Sequence, residues 1–243
     1  MAASPKQLRV VDACLEGPST RVLEVECIEG GAFESVSGRY VILHTGATTG
    51  DRAVKRAYSL MPVAGRPGRA RLAVKRLEGP GSTAPHHAPV GATFGFSGPW
   101  GKLVPEEGLG ERTLLVATDT GITSALGIVE QHASSSGARP LEVLWLTAPG
   151  ESFLDPDSVR ARIEGAGVSF VPAEIGLVAA PSRGRDAWHF IDARARALQA
   201  THVVATGDGA VVHPLRQALP ARVPSVGDVR IECFFQNPEK KSA

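Results

Sequence analysis

Residues 114–123 read LLVATDTGIT, and this stretch decides the fold of the second half of the chain. Residues 113–118 form a short apolar run of strand length that leads directly into a helix-like segment near residues 122–133. The alternation continues downstream. Strand-like segments lie at residues 141–147, 169–173 and 202–206, and helix-like segments lie between them at residues 156–166 and 188–199. Strands that alternate with helices predict an α/β doubly wound parallel sheet.

The first half of the chain has a different pattern, with short strand-like runs rich in Val and Leu and separated by Gly, Pro and Ser. Six such runs lie at residues 8–11, 21–28, 40–45, 56–61, 71–77 and 93–97. They predict an antiparallel six-stranded β-barrel, because closure leaves no exposed sheet edge. A linker near residues 105–110 then divides the chain into predicted domains 1–108 and 109–243.

The composition excludes several classes of function. With 26 basic and 25 acidic residues in 243, the net charge of +1 offers no field to attract nucleic acid or an acidic membrane. No apolar run reaches transmembrane length, and the N-terminus lacks the apolar core of a signal peptide. Three scattered cysteines are too few for a disulfide framework, so a cytoplasmic location is expected.

No metal site is predicted. The adjacent pair His86 and His87 has no other ligand nearby in sequence, and neighbouring side chains rarely converge on one ion. Both histidines are expected to be solvated loop residues.

The tetrapeptide RAYS at residues 56–59 ends a strand with a cation and an aromatic ring. In an extended strand, Arg56 and Tyr58 face the same side, whereas Ser59 points away unless the strand end twists. Taken alone, Tyr58 and Leu60 are better explained as barrel filler and Arg56 as a solvated strand end. The sequence GPWG at residues 98–101 follows about forty residues later, ahead of the strand-to-helix run at 114–123.

The order and spacing of these motifs resemble the ferredoxin–NADP reductase family over residues 8–236. The resemblance implies an FAD-binding barrel followed by an NAD(P)-binding domain. By resemblance, Arg56 holds the flavin pyrophosphate in a bidentate fork, and the ring of Tyr58 covers the flavin. Ser59 reaches the reactive ring nitrogen, and Leu60 is a further expected cofactor contact.

A second segment, KRLEGPGST at residues 75–83, resembles the part of the family where a short helix begins at the flavin phosphates. Pro85 and Pro89 predict that here it is only a single turn or a loop. The GPWG sequence matches the family's Gly-Pro-x-Gly turn beside the nicotinamide site, although a tight turn explains it equally well. The expected cofactor contacts from both segments are Lys75, Gly79, Gly81, Ser82, Thr83 and Gly98.

The nicotinamide half departs from the family at its first turn. The family usually has two glycines before Thr-Gly-Ile, so that the backbone approaches the pyrophosphate closely. This chain keeps Thr120, Gly121 and Ile122, but it has Thr118 and Asp119 in place of the glycines. The resemblance implies that Thr118, Thr120, Gly121 and Ile122 contact the cofactor. A carboxylate at residue 119 repels a pyrophosphate unless a partner of its own or a shifted loop removes the conflict.

The second turn, HVVATGDG at residues 202–209, lies where the family has Cys-Gly-Pro. Gly207 is retained as a cofactor contact, Thr206 replaces the Cys beside the position of hydride transfer, and Asp208 replaces the Pro. Near the C-terminus, Glu232 with Phe234 or Phe235 matches the family's final acid–aromatic pair. The resemblance therefore implies catalytic roles for Thr206, Glu232 and Phe234 and a cofactor contact for Phe235. Equally, the two phenylalanines simply seal the edge of the sheet.

The choice of nicotinamide cofactor depends on the turn at residues 147–152, which contains no Arg for a 2′-phosphate, whereas Glu151 can accept from a ribose hydroxyl. This favours NADH over NADPH. The basic loop expected at residues 182–185, with Arg183 and Arg185, would reverse that preference if it received a 2′-phosphate. The pyrophosphate-binding features favour FAD over FMN.

The sequence thus predicts an FAD-dependent NAD(P)H oxidoreductase. Three cysteines do not suffice for an iron–sulfur domain, so electrons are expected to pass to a separate acceptor protein, such as a ferredoxin, a flavodoxin or an oxygenase. Asp119 and Asp208 support an alternative, a flavin-binding electron-transfer or regulatory subunit that has lost the nicotinamide site. A third possibility is an interaction module that binds neither cofactor.

Overall fold

The computed structural model describes residues 6–31, 33, 36–77, 79–104, 108–133 and 139–236. The chain forms two compact units: Met1–Lys102 together with Phe153–Asp155, and Leu103–Ser152 together with Pro156–Ala243. Residues 105–107 of the predicted linker lie outside the described residues, and the predicted boundary after residue 108 stays a prediction. No described helix is long and apolar enough to cross a membrane.

The first unit is built around one antiparallel sheet. Its strands are β1 (Lys6–Leu15), β2 (Thr20–Cys27), β3 (Tyr40–Thr49), β4 (Arg52–Ser59), β5 (Met61–Pro62), β6 (Arg69–Lys75) and β7 (Thr93–Trp100). They are ordered β4-β3-β7-β1-β2-β6-β5. The two edge strands, β4 and β5, are separated only by Leu60, so the chain itself joins the two edges and closes the barrel. The predicted antiparallel barrel is confirmed, with the two-residue β5 as an additional strand.

Alternation along these strands fills the barrel. On β1, Leu8 and Val10 are buried while Arg9 between them is exposed, and on β3 Val41 and Leu43 are buried while Ile42 between them is only partly buried. The buried side chains form one core cluster with those of the neighbouring strands. The side chains of these strands therefore pack into the core with the period of two of a β-strand.

Two local predictions for this unit are wrong. Residues Pro80–His86 form a seven-residue helix, α1, rather than a single turn or loop. Pro80 lies in the first turn, where its fixed φ favours a helix, and Pro85 lies so close to the end that it costs little helical hydrogen bonding. The Gly98–Pro99 step is not a tight turn, because β7 continues through it to Trp100. Its peptide bond is cis.

The second unit has a five-stranded parallel sheet, as predicted. Its strands are β8 (Thr113–Thr118), β9 (Leu141–Thr147), β10 (Ser169–Glu174), β11 (His202–Asp208) and β12 (Asp228–Phe235). Its helices are α2 (Ile122–Ala133), α3 (Pro156–Gly165), α4 (Arg183–Leu198), α5 (Gly209–Val212) and α6 (Leu215–Arg222), and a 3₁₀ turn spans Asp119–Gly121. The order β10-β9-β8-β11-β12 reverses direction between β8 and β11. In open α/β sheets, ligands bind at the carboxyl ends of the strands at such a switch point.

Helix α4 begins at Arg183, five residues before the predicted start at residue 188. The residues predicted as a basic loop are therefore partly the first turn of a helix. Arg183, Ala187, Ile191 and Ala195 recur every four residues and are all buried, so Arg183 continues the stripe that packs on the sheet. Because the first residue of that stripe is the charged Arg183, the apolar pattern did not predict the first turn of the helix.

Candidate functional site

In the first unit, Arg56 lies directly against helix α1. A Cβ atom built on Gly81 would come within 2.8 Å of Cζ of Arg56 and 2.8 Å of Cγ1 of Val54. Only glycine at residue 81 lets the helix approach the guanidinium so closely. Arg56 is exposed, and its Nη1 donates to the carbonyl of Lys55 at 2.9 Å. Its charge therefore faces solvent beside a glycine-rich backbone, an arrangement that suits an anion.

Tyr58 lies two residues further along β4 and is partly buried against the barrel core. Burial raises the pKa of Tyr58 to about 12, although the neighbouring charge of Arg56 acts in the opposite direction. The phenol therefore stays neutral at physiological pH and keeps its proton for donation. Leu60 lies fully inside the core, and its backbone N–H donates to the carbonyl of Arg39 at 2.9 Å.

Strand register brings Ser59 and the GPWG segment to the same end of the barrel. Tyr40 of β3 pairs with Ser59 of β4 on one side and with Trp100 of β7 on the other. Gly98 packs so tightly here that a Cβ atom would meet the carbonyl oxygen of Tyr40 at 3.0 Å. Trp100 is 51% exposed at this end. Its large aromatic surface lies at the same barrel end as Ser59 but two strands away, with Tyr40 of β3 between them.

The remaining predicted flavin contacts surround the start of α1. Gly79 has φ +128 and open space around the position of a Cβ atom. The hydroxyl of Ser82 accepts from the N–H of Leu77 and donates to its carbonyl, and Thr83 donates to the carbonyl of Gly79 at 2.8 Å. Both hydroxyls thus shape the turn before and within α1. Lys75 ends β6, four residues before Gly79.

The prediction that both histidines near the end of α1 are solvated loop residues is wrong for His86 but holds for His87, which is exposed in the turn after the helix. His86 is inside the helix and only 8% exposed, and burial lowers the pKa of its imidazole. His87 packs its ring edge against the His86 ring with centroids 5.0 Å apart. Among the residues that the structure describes, no three His, Cys, Asp or Glu side chains gather in a way that would hold a metal ion.

In the second unit, the turns after β8 and β11 are fastened to each other. Oγ1 of Thr118 accepts from the N–H of Asp208 at 2.6 Å, and Oγ1 of Thr206 donates to the carbonyl of Gly121 at 3.0 Å. Both glycines in these turns are required by close approach. A Cβ atom on Gly121 would lie 2.3 Å from the carbonyl oxygen of Thr206, and one on Gly207 would lie 2.3 Å from Oγ1 of Thr118. The structure therefore brings together the nicotinamide candidates of both turns.

The other two candidates of the first turn have different environments. Ile122 opens α2 and is fully buried. Thr120 is partly exposed within the 3₁₀ turn, and its carbonyl accepts from Oγ1 of Thr123 at 2.9 Å.

Both unexpected acids are paired with the same arginine. Nε of Arg183 donates to Oδ2 of Asp208 at 2.8 Å, and Nη2 of Arg183 donates to Oδ2 of Asp119. Nη1 donates to the carbonyl of Gly176. Arg183 is 1% exposed and lies in the first turn of α4, so the prediction that it belongs to a solvated basic loop is wrong. It supplies the partner that the carboxylate of Asp119 required.

The two acids of this cluster have different environments. Asp208 is fully buried, and its Oδ1 caps α5 by accepting from the N–H of Ala210 at 2.9 Å. The Asp119 side chain is 16% exposed, and its backbone has φ +48. Burial raises the pKa of Asp119, while Arg183 opposes that shift. A left-handed backbone is tolerated better by Asp or Asn than by most other residues.

Strand β12 places the C-terminal candidates beside β11. Glu232 pairs with Thr206 and Phe235 pairs with Asp208. Ile231 and Cys233 pack against the core cluster on one face, so alternation places Glu232 and Phe234 on the other. Burial raises the pKa of Glu232 to about 7. Its carboxyl group is therefore able to hold or release a proton near neutral pH.

A cavity of about 420 Å³ lies at the carboxyl ends of β9 and β10. Glu151 and Glu174 contribute carboxylates to its lining, and Trp145 contributes an aromatic ring. A neighbouring cavity of about 560 Å³ shares Glu174 and includes the exposed Arg185. The first cavity suits a neutral, hydroxyl-bearing group better than a second phosphate.

The described chain combines an antiparallel barrel with a parallel sheet whose switch-point turns carry glycines and two paired acids. The fold matches the Amycolatopsis cytochrome P450 reductase GcoB (TM-score 0.72, 21% identity, 94% of this chain and 69% of that one). It also matches phthalate dioxygenase reductase (TM-score 0.69, 20% identity, 97% and 71%) and the ferredoxin reductase in carbazole 1,9a-dioxygenase (TM-score 0.74, 17% identity, 96% and 68%).

No family model matches the chain. A relative from Sorangium cellulosum (strain So ce56), ferredoxin–NADP reductase B, is 32% identical over 187 residues, which are 76% of this chain and 73% of the relative. The chain belongs to the ferredoxin–NADP reductase family.

Proposed function

We propose that the chain is an FAD-dependent NAD(P)H oxidoreductase that passes electrons from a nicotinamide dinucleotide through flavin to a separate acceptor protein, such as a ferredoxin, a flavodoxin or an oxygenase. The observation that carries this proposal is the close contact between the Arg56 guanidinium and Gly81 of α1. Arg56 lies on β4, the barrel strand that also bears Tyr58. Membership of the reductase family supports the same assignment. A cytoplasmic location is part of the proposal.

The residues of the first unit fit FAD. Arg56 is exposed beside a helix whose glycine leaves room for it, so its guanidinium is available to a pyrophosphate. The neutral ring of Tyr58 provides a flat apolar surface with one hydroxyl donor, and Ser59 follows it. When bound, FAD supplies the exchange between two-electron and one-electron chemistry. Residues 1–108 are proposed as the flavin-binding domain and 109–243 as the nicotinamide-binding domain.

In the second unit, residues at the switch point orient the nicotinamide donor, and one of them, Glu232, holds or releases a proton. Thr206 and Glu232 are opposed on adjacent strands, and Glu232 holds a proton near neutral pH. Phe234 and Phe235 supply aromatic surface at the same strand ends. Glu151 and Glu174 accept from ribose hydroxyls and repel a 2′-phosphate, which favours NADH over NADPH.

The alternative is a flavin-binding electron-transfer or regulatory subunit that does not use a nicotinamide donor. The ion pairs of Asp119 and Asp208 with Arg183 support it, because they place carboxylates where a pyrophosphate would bind. The visible spectrum of the purified protein separates the two functions. It is recorded before and after anaerobic addition of NADH and, in a second sample, NADPH.

A yellow protein that bleaches on addition of either nucleotide supports the reductase, and the faster nucleotide is the donor. A yellow protein that ignores both supports the alternative. A protein that stays colourless after incubation with FAD contradicts both.

A further inference from the structure

We propose that Arg183 is the anion-binding group of the nicotinamide-dinucleotide site, and that Asp119 occupies its outer arm until the dinucleotide pyrophosphate displaces it. This inference rests on the proposed function, because it assigns a binding residue to the same site. It is carried by the position of the guanidinium, the different environments of its two carboxylates, and the topology of the sheet.

The position is the switch point of the parallel sheet. Asp119 follows the last residue of β8, and Asp208 is the last residue of β11, so the guanidinium of Arg183 bridges the carboxyl ends of the two strands between which the order reverses. A pyrophosphate bound at a switch point needs positive charge or free N–H groups there. Among the described residues at these two strand ends, Arg183 supplies the positive charge and pairs with the carboxylates of Asp119 and Asp208.

The inner acid is fixed. Asp208 is fully buried, accepts from Nε of Arg183, caps α5 through Ala210, and donates its own N–H to Thr118. Removing its carboxylate from the cluster would break two hydrogen bonds at once, those from Arg183 and Ala210, in a fully buried place. It therefore holds Arg183 in place as a permanent counter-ion.

The outer acid is replaceable. The Asp119 side chain is partly exposed and pairs with Nη2 of Arg183, on the short 3₁₀ turn that precedes α2. Two carboxylates on one guanidinium leave a net negative charge, and Glu151 adds to the field at Asp119. A phosphate oxygen at Nη2 would keep the arginine paired while Asp119 turns to solvent. The carboxylate therefore competes with the pyrophosphate for a single charge-assisted bond.

The experiment measures binding of ADP-ribose, which has the pyrophosphate but no nicotinamide, and of adenosine, which has neither, by calorimetry on the protein as purified with FAD. The test variant is Asp119→Asn, because Asn fits a left-handed backbone and removes only the charge. The control variant is Asp192→Asn, which removes an acid from the solvent side of α4, where it pairs with Arg196.

We expect Asp119→Asn to tighten ADP-ribose binding roughly tenfold. Adenosine affinity should stay unchanged, and Asp192→Asn should bind as the wild type does. Unchanged or weaker ADP-ribose binding in Asp119→Asn overturns the inference. Arg183→Lys, which keeps the charge but loses the fork, should weaken ADP-ribose binding in the Asp119→Asn background, and equal binding there also overturns it.

The outcomes distinguish a failure of this inference from a failure of the proposed function. If NADH and NADPH bleach the wild-type flavin but Asp119→Asn has no effect on ADP-ribose, the reductase stands and this inference falls. If Asp119→Asn tightens ADP-ribose while neither nucleotide bleaches the flavin of any variant, the anion site stands and the reductase assignment falls.

Discussion

The backbone N–H of Asp208 donates to Oγ1 of Thr118 over 2.6 Å, a hydrogen bond between residues ninety positions apart. It ties the end of β11 to the end of β8 inside a fully buried region. The resembling family has a glycine where this chain has Thr118. A glycine has no hydroxyl, so this hydrogen bond depends on the threonine of this chain. The chain thus fastens the turns after β8 and β11 to each other through side chains.

Replacing Thr118 by Val should destabilise the protein by about 1–3 kcal/mol, since the buried N–H of Asp208 would lose its acceptor while the shape of the side chain is kept. Thr118→Ser retains the hydroxyl and is the matched control. Urea unfolding followed by circular dichroism measures both. Equal midpoints for the two variants would show that the hydroxyl does not matter.

Replacing Arg56 by Ala should raise the dissociation constant of FAD about 10- to 100-fold, because a hydrogen bond to a charged group contributes about 1.5–3 kcal/mol. Arg52→Ala removes another exposed arginine from the same strand and should leave FAD affinity unchanged. Fluorescence titration of the flavin-free protein with FAD gives both constants. Retention of full affinity in Arg56→Ala would refute the role assigned to Arg56.

Replacing Arg183 by Met should destabilise the protein by about 3–5 kcal/mol, since Asp119 and Asp208 would be left without a cation in a buried site. Adding Asp119→Asn and Asp208→Asn to the same chain should recover a large part of that loss, because no buried charge then lacks its partner. Thermal and urea unfolding of the single and triple variants test this. A triple variant less stable than Arg183→Met would count against a charge-based cause.

Glu232 should make stability depend on pH. Burial raises the pKa of Glu232 in the folded protein to about 7, above the value of 4.5 of an unperturbed glutamate. The folded protein therefore holds more protons than the unfolded chain between those values, and the free energy of unfolding should fall as pH rises through this window. The contribution is at most about 3 kcal/mol.

The Glu232→Gln variant should lose this part of the pH dependence and be the more stable protein at pH 8. Glu174→Gln removes an exposed carboxylate from the same sheet and is the control. Urea unfolding at pH 5, 6, 7 and 8 provides the comparison. A pH profile in Glu232→Gln that coincides with the wild-type profile would exclude Glu232 as its source.

The sequence predicted those features that depend on local patterns. The short Val- and Leu-rich runs of the first half and the strand-to-helix stretch at residues 114–123 correctly predicted the barrel and the parallel sheet. The prediction that Pro85 would interrupt a helix was wrong, because Pro85 lies next to the end of α1, where a proline costs little helical hydrogen bonding. The partner of the two acids could not be predicted, because Arg183 is 64 residues from Asp119 and only tertiary packing brings them together.

One residue of chain, Leu60, connects the two edges of the barrel sheet. No described ladder pairs β4 with β5, so proteolytic cleavage at that point would free two strand edges that only this link holds together. Unpaired edges are templates for pairing with another molecule. The same link would thus be the place where a damaged copy of this protein starts to exchange strands with its neighbours and aggregate.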